Sequence, residues 1–183
     1  MPESLRGHLI VATPELGDPN FFQTVVLLLE HTEEGALGLV LNRASDTRVE
    51  EHFPLLSQVA AAPGVFFVGG PVADGALICL ARVNDTDTDG WEGLDGNLGI
   101  LDLGRHLHDP PGTVEQVRIF SGYAGWGGGQ LEAEMASGGW FVLDSEPHDP
   151  LTSDPSALWR EVLRRQRGKL GIFANYPEDL STN

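Results

Sequence analysis

The chain has 183 residues, 41% of them hydrophobic, and a formal net charge of -16. This composition is typical of one domain with a sizeable core, so we predict a single domain over residues 1–183. So much negative charge excludes a large class of partners, because non-specific binding to nucleic acids depends on Lys and Arg contacting phosphates. The same charge disfavours anionic membrane surfaces, and we therefore expect direct contact with neither nucleic acid nor membrane.

Cysteine usage and the N-terminal sequence indicate where the protein works. Cys79 is the only cysteine, which excludes an intrachain disulfide and favours a reducing compartment. Pro14, Glu15 and Asp18 interrupt the apolar stretch that a secretory signal would need. These features predict a cytoplasmic protein.

The first half of the chain predicts strands at residues 9–12, 24–31 and 36–42. The second of these is continuously apolar, so we expect it to be buried on both faces. The short connection at residues 32–35 makes the second and third strands an antiparallel hairpin. Thr47, with Glu50 three residues later, predicts a capping box that starts a short helix toward Phe53. A second helical piece is expected at residues 54–62.

The second half predicts further strands at residues 65–68, 76–83, 98–103 and 140–143. An acidic loop is expected at residues 84–96, and the strand after it should pair with the strand before it. Asp154 and Pro155 predict the start of a helix that buries Leu158, Trp159, Val162 and Leu163. That helix should end at Gly168, before a last strand at residues 170–174 and a polar tail.

Residues 121–134, S-G-Y-A-G-W-G-G-G-Q-L-E-A-E, form the most distinctive stretch of the chain. They follow the apolar run 117–120 and predict a tight glycine loop that leads into a helix. A second glycine turn, Gly69-Gly70-Pro71-Val72, also follows an apolar strand. Strands that end on the same side of a sheet bring their loops together, so we predict that the two turns meet. Tyr123 and Trp126 should then lie at or near a groove.

A set of short motifs carries a resemblance to a known family. The matching segments are residues 7–12, Asp18-Pro19-Asn20-Phe21, Val25-Val26, Glu30-His31, residues 34–42, Gly69-Gly70-Pro71-Val72, residues 121–126 and Gln130-Leu131-Glu132. Together they resemble the YqgE/AlgH family of bacterial proteins, which are often labelled transcriptional regulators but have no established activity. The resemblance implies an α+β fold with a mostly antiparallel, bifurcated sheet rolled into a partial barrel and helices packed outside. Family proteins usually read Gly-Pro-Gly where this chain has Gly127-Gly128-Gly129.

The shared motifs and the two glycine turns define the candidate ligand-binding residues. They are His31, Asn42, Gly69, Gly70, Ser121, Gly122, Tyr123, Gly125 and Trp126. The leading hypothesis is a binding or regulatory protein that acts through a small ligand or a protein partner at these loops. The alternative is an enzyme of unknown reaction that uses the same cleft with polar residues such as His31, Asn42 and Asp18. Direct DNA regulation follows only from the family label.

The glycine loop itself allows two interpretations. A helix N-terminus can bind an anion through its free N–H groups. However, no Gly-Lys-Ser/Thr follows the loop, and Glu132 and Glu134 would repel a phosphate. A neutral or cationic ligand is compatible with these charges. The other interpretation is a plain strand–helix turn with Tyr123 and Trp126 as packing anchors.

The metal-like patterns in the sequence are incomplete, so we predict no metal and no cofactor. Asp85-x-Asp87-x-Asp89-Gly90 matches the first half of a calcium loop, but Gly96 stands where a bidentate glutamate is needed. His106, His108 and Asp109 lack a further ligand at a fixed spacing. Ser121 is not preceded by the glycine of a nucleophile elbow, and Cys79 in mid-strand is typical of a core residue.

A cluster of basic residues lies at the end of the predicted C-terminal helix: Arg160, Arg164, Arg165, Arg167 and Lys169. Neither helix-turn-helix spacing nor interleaved aromatic residues accompany this cluster. The helix dipole favours cations at this end, and the arginines can balance acidic groups in this chain or in a partner. The cluster is therefore weak evidence for nucleic-acid binding.

Overall fold

The computed structural model describes residues 3–106 and 109–166. In chain order, the strands are β1 (Leu9–Ala12), β2 (Val25–Thr32), β3 (Gly35–Val40), β4 (Ala44–Arg48), β5 (Val65–Val68), β6 (Val72–Val83), β7 (Trp91–Asp95), β8 (Leu98–Leu101), β9 (Val114–Gly127) and β10 (Trp140–Leu143). The α-helices are α1 (Pro54–Ser57), α2 (Leu103–His106), α3 (Gln130–Ala136) and α4 (Leu158–Arg164). Within the described ranges, no helix has the length and apolar character to cross a membrane.

The strands form one curled, mostly antiparallel sheet that makes a half-barrel, with the helices beside it. Its main path runs β10-β1-β2-β3-β9-β6-β8-β7. The sheet forks at β9, because β3 pairs with the end of that strand, whereas β5 pairs in parallel with its middle, at Phe120 and Ser121. β4 pairs with β5 on the side away from β9. The predicted α+β fold with a bifurcated sheet is confirmed.

Strand β2 shows how the sequence builds the core on both faces of this sheet. Its residues from Val25 to Leu29 are all buried, as the continuous apolar run predicts. Because side chains alternate along a strand, Val25 and Leu27 join one apolar cluster while Val26 and Leu28 join another. The antiparallel β2–β3 hairpin is confirmed, with a bulge between Leu28 and Glu30.

Two parts of the sequence prediction are wrong about element type. Thr47 lies in strand β4 and does not cap a helix, because β4 pairs with β5 and the Thr47 N–H donates to Ser45 Oγ. A 3-10 turn follows at Val49–Glu51. The predicted acidic loop 84–96 contains β7, whose Trp91 donates its indole N–H to the carbonyl oxygen of Ala81. In both cases strand pairing, with β5 for β4 and with β8 for β7, overrides local propensity.

The glycine stretch that follows residue 120 is also not a loop over most of its length. Strand β9 continues to Gly127, because Gly125 pairs with Leu37 and Gly127 pairs with Gly35 on β3. Only Gly128 and Gly129 turn the chain into α3. Gly129 has a positive φ of 78°, and a Cβ on Gly128 would lie 2.8 Å from the carbonyl oxygen of Glu33. These two positions therefore require glycine.

The C-terminal helix covers one face of the half-barrel. A 3-10 turn, Pro155–Ala157, leads into α4, and the predicted apolar side chains are buried: Leu158, Trp159, Val162 and Leu163. The indole N–H of Trp159 donates to the carbonyl oxygen of Ala12 at 2.9 Å, which fixes the helix to β1. The predicted helix end at Gly168, the last strand at 170–174, Arg167, Lys169 and His108 lie outside the described residues.

Candidate functional site

The two glycine stretches meet, as the sequence predicts. The backbone N–H of Gly69 donates to the carbonyl oxygen of Ser121 at 2.9 Å, and Val72 pairs with Tyr123. A Cβ on Gly70 would overlap the carbonyl group of Tyr123. The stretches therefore meet as closely packed backbones, and the glycines leave no room for a ligand between them.

An open apolar surface lies directly beside this contact. Val68 on β5 and Leu77 on β6 are both cross-strand neighbours of Ser121 on β9. Paired residues on neighbouring strands project to the same face of a sheet, so the three side chains form one row. Val68 is 42% exposed and Leu77 is 40% exposed, in contrast to the buried apolar residues of the sheet interior. This row is the floor of a groove.

We call this surface the Ser121 groove. It is a cavity of about 470 Å³ lined by Ser45, Thr47, His52, Phe53, Phe66, Phe67, Val68, Leu77 and Ser121. Its aromatic wall is packed edge to face: the centroid of the Phe66 ring lies 5.9 Å from that of Phe53 and 5.7 Å from that of His52. The lining combines an apolar floor with a few polar groups at the rim, which is the usual composition of a binding site.

A bulge in β6 forms another border of the Ser121 groove. Between Val72 and Leu77 the strand leaves its pairing with β9, and Ala73 adopts a positive φ of 48°. The Ser121 hydroxyl donates to the carbonyl oxygen of Asp74 in this bulge. Ser121 therefore connects the groove floor to the border segment by a hydrogen bond.

His31 lies in a different place, under the N-terminal segment and next to α3. Its Nδ1 accepts a hydrogen bond from the Leu5 N–H at 2.9 Å, and its Nε2 lies 2.6 Å from Glu132 Oε1. Since Nδ1 accepts from an N–H group, the ring proton is on Nε2 and is donated to Glu132. The hydrogen bond from His31 lowers the pKa of Glu132. With both nitrogens engaged, His31 is not positioned as a general base.

The cavity beside His31 is strongly acidic. It has a volume of about 860 Å³ and is lined by Ser4, His31, Thr32, Glu33, Glu34, Gly129 and Glu132. The sequence suggested Glu132 as a partner of the helix dipole, but its contact with His31, 101 residues away, has no signal in the sequence. Three carboxylates in the lining disfavour an anionic ligand in this cavity.

Asn42 lies at a third location, where it supports the start of β2. Its Oδ1 accepts from the Val25 N–H at 3.1 Å, and its Nδ2 donates to the carbonyl oxygen of Gln23 at 2.9 Å. Asp18 Oδ1 accepts from the Asn20 N–H and so caps the turn Pro19–Phe21. The polar motif residues in this region therefore hold loop backbone in place.

Trp126 belongs to the core and does not line a groove, in contrast to the expectation from the sequence. It is 6% exposed, stacks on Phe21 at 5.8 Å and contacts Trp140 at 5.9 Å between ring centroids. Tyr123 is half-buried against the other apolar cluster, and Gly122 is buried. Side chains alternate between the two faces of a strand, and Tyr123 and Trp126 are three residues apart. They therefore pack in different apolar clusters, on opposite sides of the sheet.

The candidate residues thus separate into distinct places. Gly69, Gly70 and Gly122 shape the backbone contact beside the Ser121 groove, and Ser121 lies in the groove itself. His31 and Asn42 belong to other regions. Val68 and Leu77, which expose the largest apolar area in the groove row, were missed, because an apolar strand residue beside a glycine turn has the same local pattern whether it is buried or exposed.

Two clusters of titratable residues that could hold a metal are paired with arginines. Glu146, His148 and Asp149 offer ligand atoms within 4.8 Å of one another. Arg165 occupies this cluster, donating to both carboxylate oxygens of Asp149 at 2.9 and 2.8 Å and to Glu146 at 2.8 Å. In the calcium-like stretch, the carboxylate of Asp89 pairs with Arg105.

Comparison with known proteins identifies the family. The AlgH-like family model matches residues 9–171, and the chain belongs to this family. The resemblance deduced from the motifs is therefore confirmed.

Relatives and solved structures support this assignment over nearly the whole chain. A UPF0301 protein of Streptomyces avermitilis is 47% identical, covering 98% of this chain and 96% of the relative. A UPF0301 protein of Thermobifida fusca is 41% identical with the same coverage. The crystal structure of a Corynebacterium diphtheriae protein matches with a TM-score of 0.85 at 28% identity, covering 96% of this chain and 94% of that one. The solution structure of the Pseudomonas aeruginosa AlgH protein matches with a TM-score of 0.68 at 28% identity, covering 97% and 96%.

Proposed function

We propose that this protein is a binding protein that holds an apolar segment of a partner protein in the Ser121 groove. The observation that carries the proposal is the exposed pair Val68 and Leu77 on either side of Ser121, in a concave surface walled by Phe53 and Phe66. Soluble proteins rarely leave contiguous apolar surface open unless it has a binding role. An apolar side chain from a partner would remove this surface from water.

The geometry favours binding to the face of the sheet. Strand β4 pairs with β5 along one edge, and the N–H of Thr47 already donates to Ser45 Oγ at 3.1 Å. A local hydrogen bond of this kind competes with the addition of a further strand to β4. A partner therefore gains most binding free energy when its apolar side chains lie between the aromatic wall and the floor of the groove.

The same observations support binding more strongly than catalysis. The hydroxyl of Ser121 donates to the Asp74 carbonyl oxygen, and both nitrogens of His31 are engaged in a cavity separate from the groove. His52 also lines the groove, but the Ser121 proton is directed to the Asp74 carbonyl oxygen and not to this histidine, whereas a nucleophile–base pair requires a hydrogen bond between the two groups. Any effect on transcription would then act through the bound partner, because the net charge of -16 disfavours contact with DNA.

A selection from a random peptide library displayed on phage tests this proposal. We expect the wild-type protein to enrich peptides with adjacent apolar residues, and Leu77→Asp to abolish that enrichment. Leu55→Asp is the matched control, because Leu55 is 46% exposed but lies on α1 outside the groove lining. Equal enrichment on all three proteins, or none on the wild type, would overturn the proposal. Thermal unfolding verifies that both variants are folded, as expected for substitutions of exposed residues.

A further inference from the structure

We infer that the partner segment is basic as well as apolar, with Lys or Arg residues on both sides of the side chains that enter the Ser121 groove. This inference rests on the proposed function and concerns the charge of the segment. Two separate borders of the groove carry exposed carboxylates, and the apolar floor lies between them.

The first border is formed by β4 and the 3-10 turn that follows it. Glu50 and Glu51 are exposed and immediately precede His52, which lines the groove. Arg48 is the basic residue of this border, and it pairs with Glu50 at 2.8 Å. Glu51 therefore contributes negative charge that Arg48 does not balance.

The second border is the bulge of β6. The segment from Val72 to Leu77 contains one charged residue, Asp74, and all of it is exposed. Asp74 is kept next to the floor because its carbonyl oxygen accepts the hydrogen bond from Ser121. The exposed Asp74 therefore adds a negative charge to the segment that Ser121 ties to the groove floor.

Charge complementarity follows from these two borders. A segment with basic residues flanking an apolar centre can bury its centre and keep its charged heads in water beside the carboxylates. An acidic segment would place like charges together and would also be repelled by the field of a chain with net charge -16. The groove thus discriminates between partners by the charge of the flanking residues.

The charge composition of the selected peptides tests this inference. We expect the wild type to enrich peptides with Lys or Arg next to the apolar residues, and the double variant Glu51→Gln/Asp74→Asn to lose the basic excess but keep the apolar enrichment. The control Glu115→Gln removes one negative charge, half the change of the double variant, six residues before Ser121 on β9, about 20 Å away along an extended strand. It should leave the basic excess unchanged.

A binding measurement with one selected basic peptide makes the test quantitative. The double variant should bind it about fivefold more weakly than the wild type, the effect of losing two exposed ion pairs. The loss should disappear at high salt, where exposed charges are screened. Apolar enrichment without a basic excess would overturn this inference alone, whereas absence of apolar enrichment would overturn the proposed function.

Discussion

The guanidinium group of Arg118 lies over the ring of Phe67, with its central carbon 4.2 Å from the ring centroid. Arg118 is 2% exposed and donates to the carbonyl oxygens of Ala62 at 2.6 Å and Thr152 at 2.9 Å. Burial lowers the pKa of Arg118 to about 10, so it remains charged at neutral pH. Phe67 pairs with Phe120 on the face of the sheet opposite Val68 and Ser121, so this arginine packs on the core side of the strand whose other face carries the groove floor.

Replacing this arginine should therefore destabilise the fold. Arg118→Met keeps an unbranched apolar side chain but removes the donors to two loop carbonyls, and we expect a loss of about 3 kcal/mol in the free energy of unfolding. Arg48→Met is the control, because its pair with Glu50 is exposed and should contribute less than about 1 kcal/mol. Urea denaturation measures both. Equal losses in the two variants would show that the buried hydrogen bonds of Arg118 contribute little.

The contact between the two glycine stretches predicts that substitution of Gly70 destabilises the protein strongly, whereas substitution of Gly75, five residues later, has little effect on stability. Gly70→Ala should cost more than about 2 kcal/mol, because the new Cβ overlaps the Tyr123 backbone, which cannot move without breaking the sheet. Gly75→Ala should change stability by less than about 1 kcal/mol, since its Cβ would meet nothing within 4 Å. Thermal unfolding compares the two. Similar melting temperatures would contradict the close packing at Gly70.

The hydrogen bond between His31 and Glu132 predicts a pH-dependent contribution to stability. It lowers the pKa of Glu132 from its ordinary value of 4.5, so the ionised group stabilises the folded state above that pH. This contribution is lost as the pH falls through the lowered pKa of the folded state. Glu132→Gln should therefore destabilise the protein most near neutral pH and progressively less below about pH 4.5.

Urea unfolding across this pH range measures the difference between the wild type and Glu132→Gln. Glu33→Gln controls for the change in net charge, because Glu33 is an exposed carboxylate in the lining of the same cavity. A difference that stays constant from neutral to acidic pH would show that the carboxylate of Glu132 gains nothing from His31.

Substitutions of Trp126 and Leu77 should have opposite effects: one should lower stability and leave peptide binding intact, and the other should abolish binding and leave stability intact. Trp126→Ala removes a buried ring that contacts Phe21 and Trp140, so we expect a loss of about 3–5 kcal/mol in unfolding free energy. At a temperature where this variant remains folded, it should still bind the peptides selected on the wild type. Leu77→Asp should show the opposite pattern, with stability kept and binding lost. Loss of binding in folded Trp126→Ala would instead assign Trp126 to the site.

Much of the strand content could be predicted from local sequence. The predicted strands at residues 9–12, 65–68 and 140–143 match β1, β5 and β10 to the residue. In each case a short apolar run is bounded by glycine or polar residues. The run itself therefore indicates a strand, and the residues that flank it indicate where the strand begins and ends. The motifs also led to the correct family, and with it to the bifurcated sheet, a topology that strand counting alone does not specify.

The candidate site depended on information that local sequence does not contain. The glycine stretch from Ser121 to Gly127 continues as a strand because β3 and β6 pair with it, and Val68 and Leu77 are exposed because no described strand or helix covers that face. His31 finds Glu132 across 101 residues.

The amino-acid sequence by itself therefore determined the composition class, most strands and the family, because these follow from patterns over a few neighbouring residues. The tertiary structure decided which apolar side chains remain in water and which polar groups meet. Those outcomes depend on pairing between distant strands, where burial of one face and exposure of the other are set by the partners that pack against it.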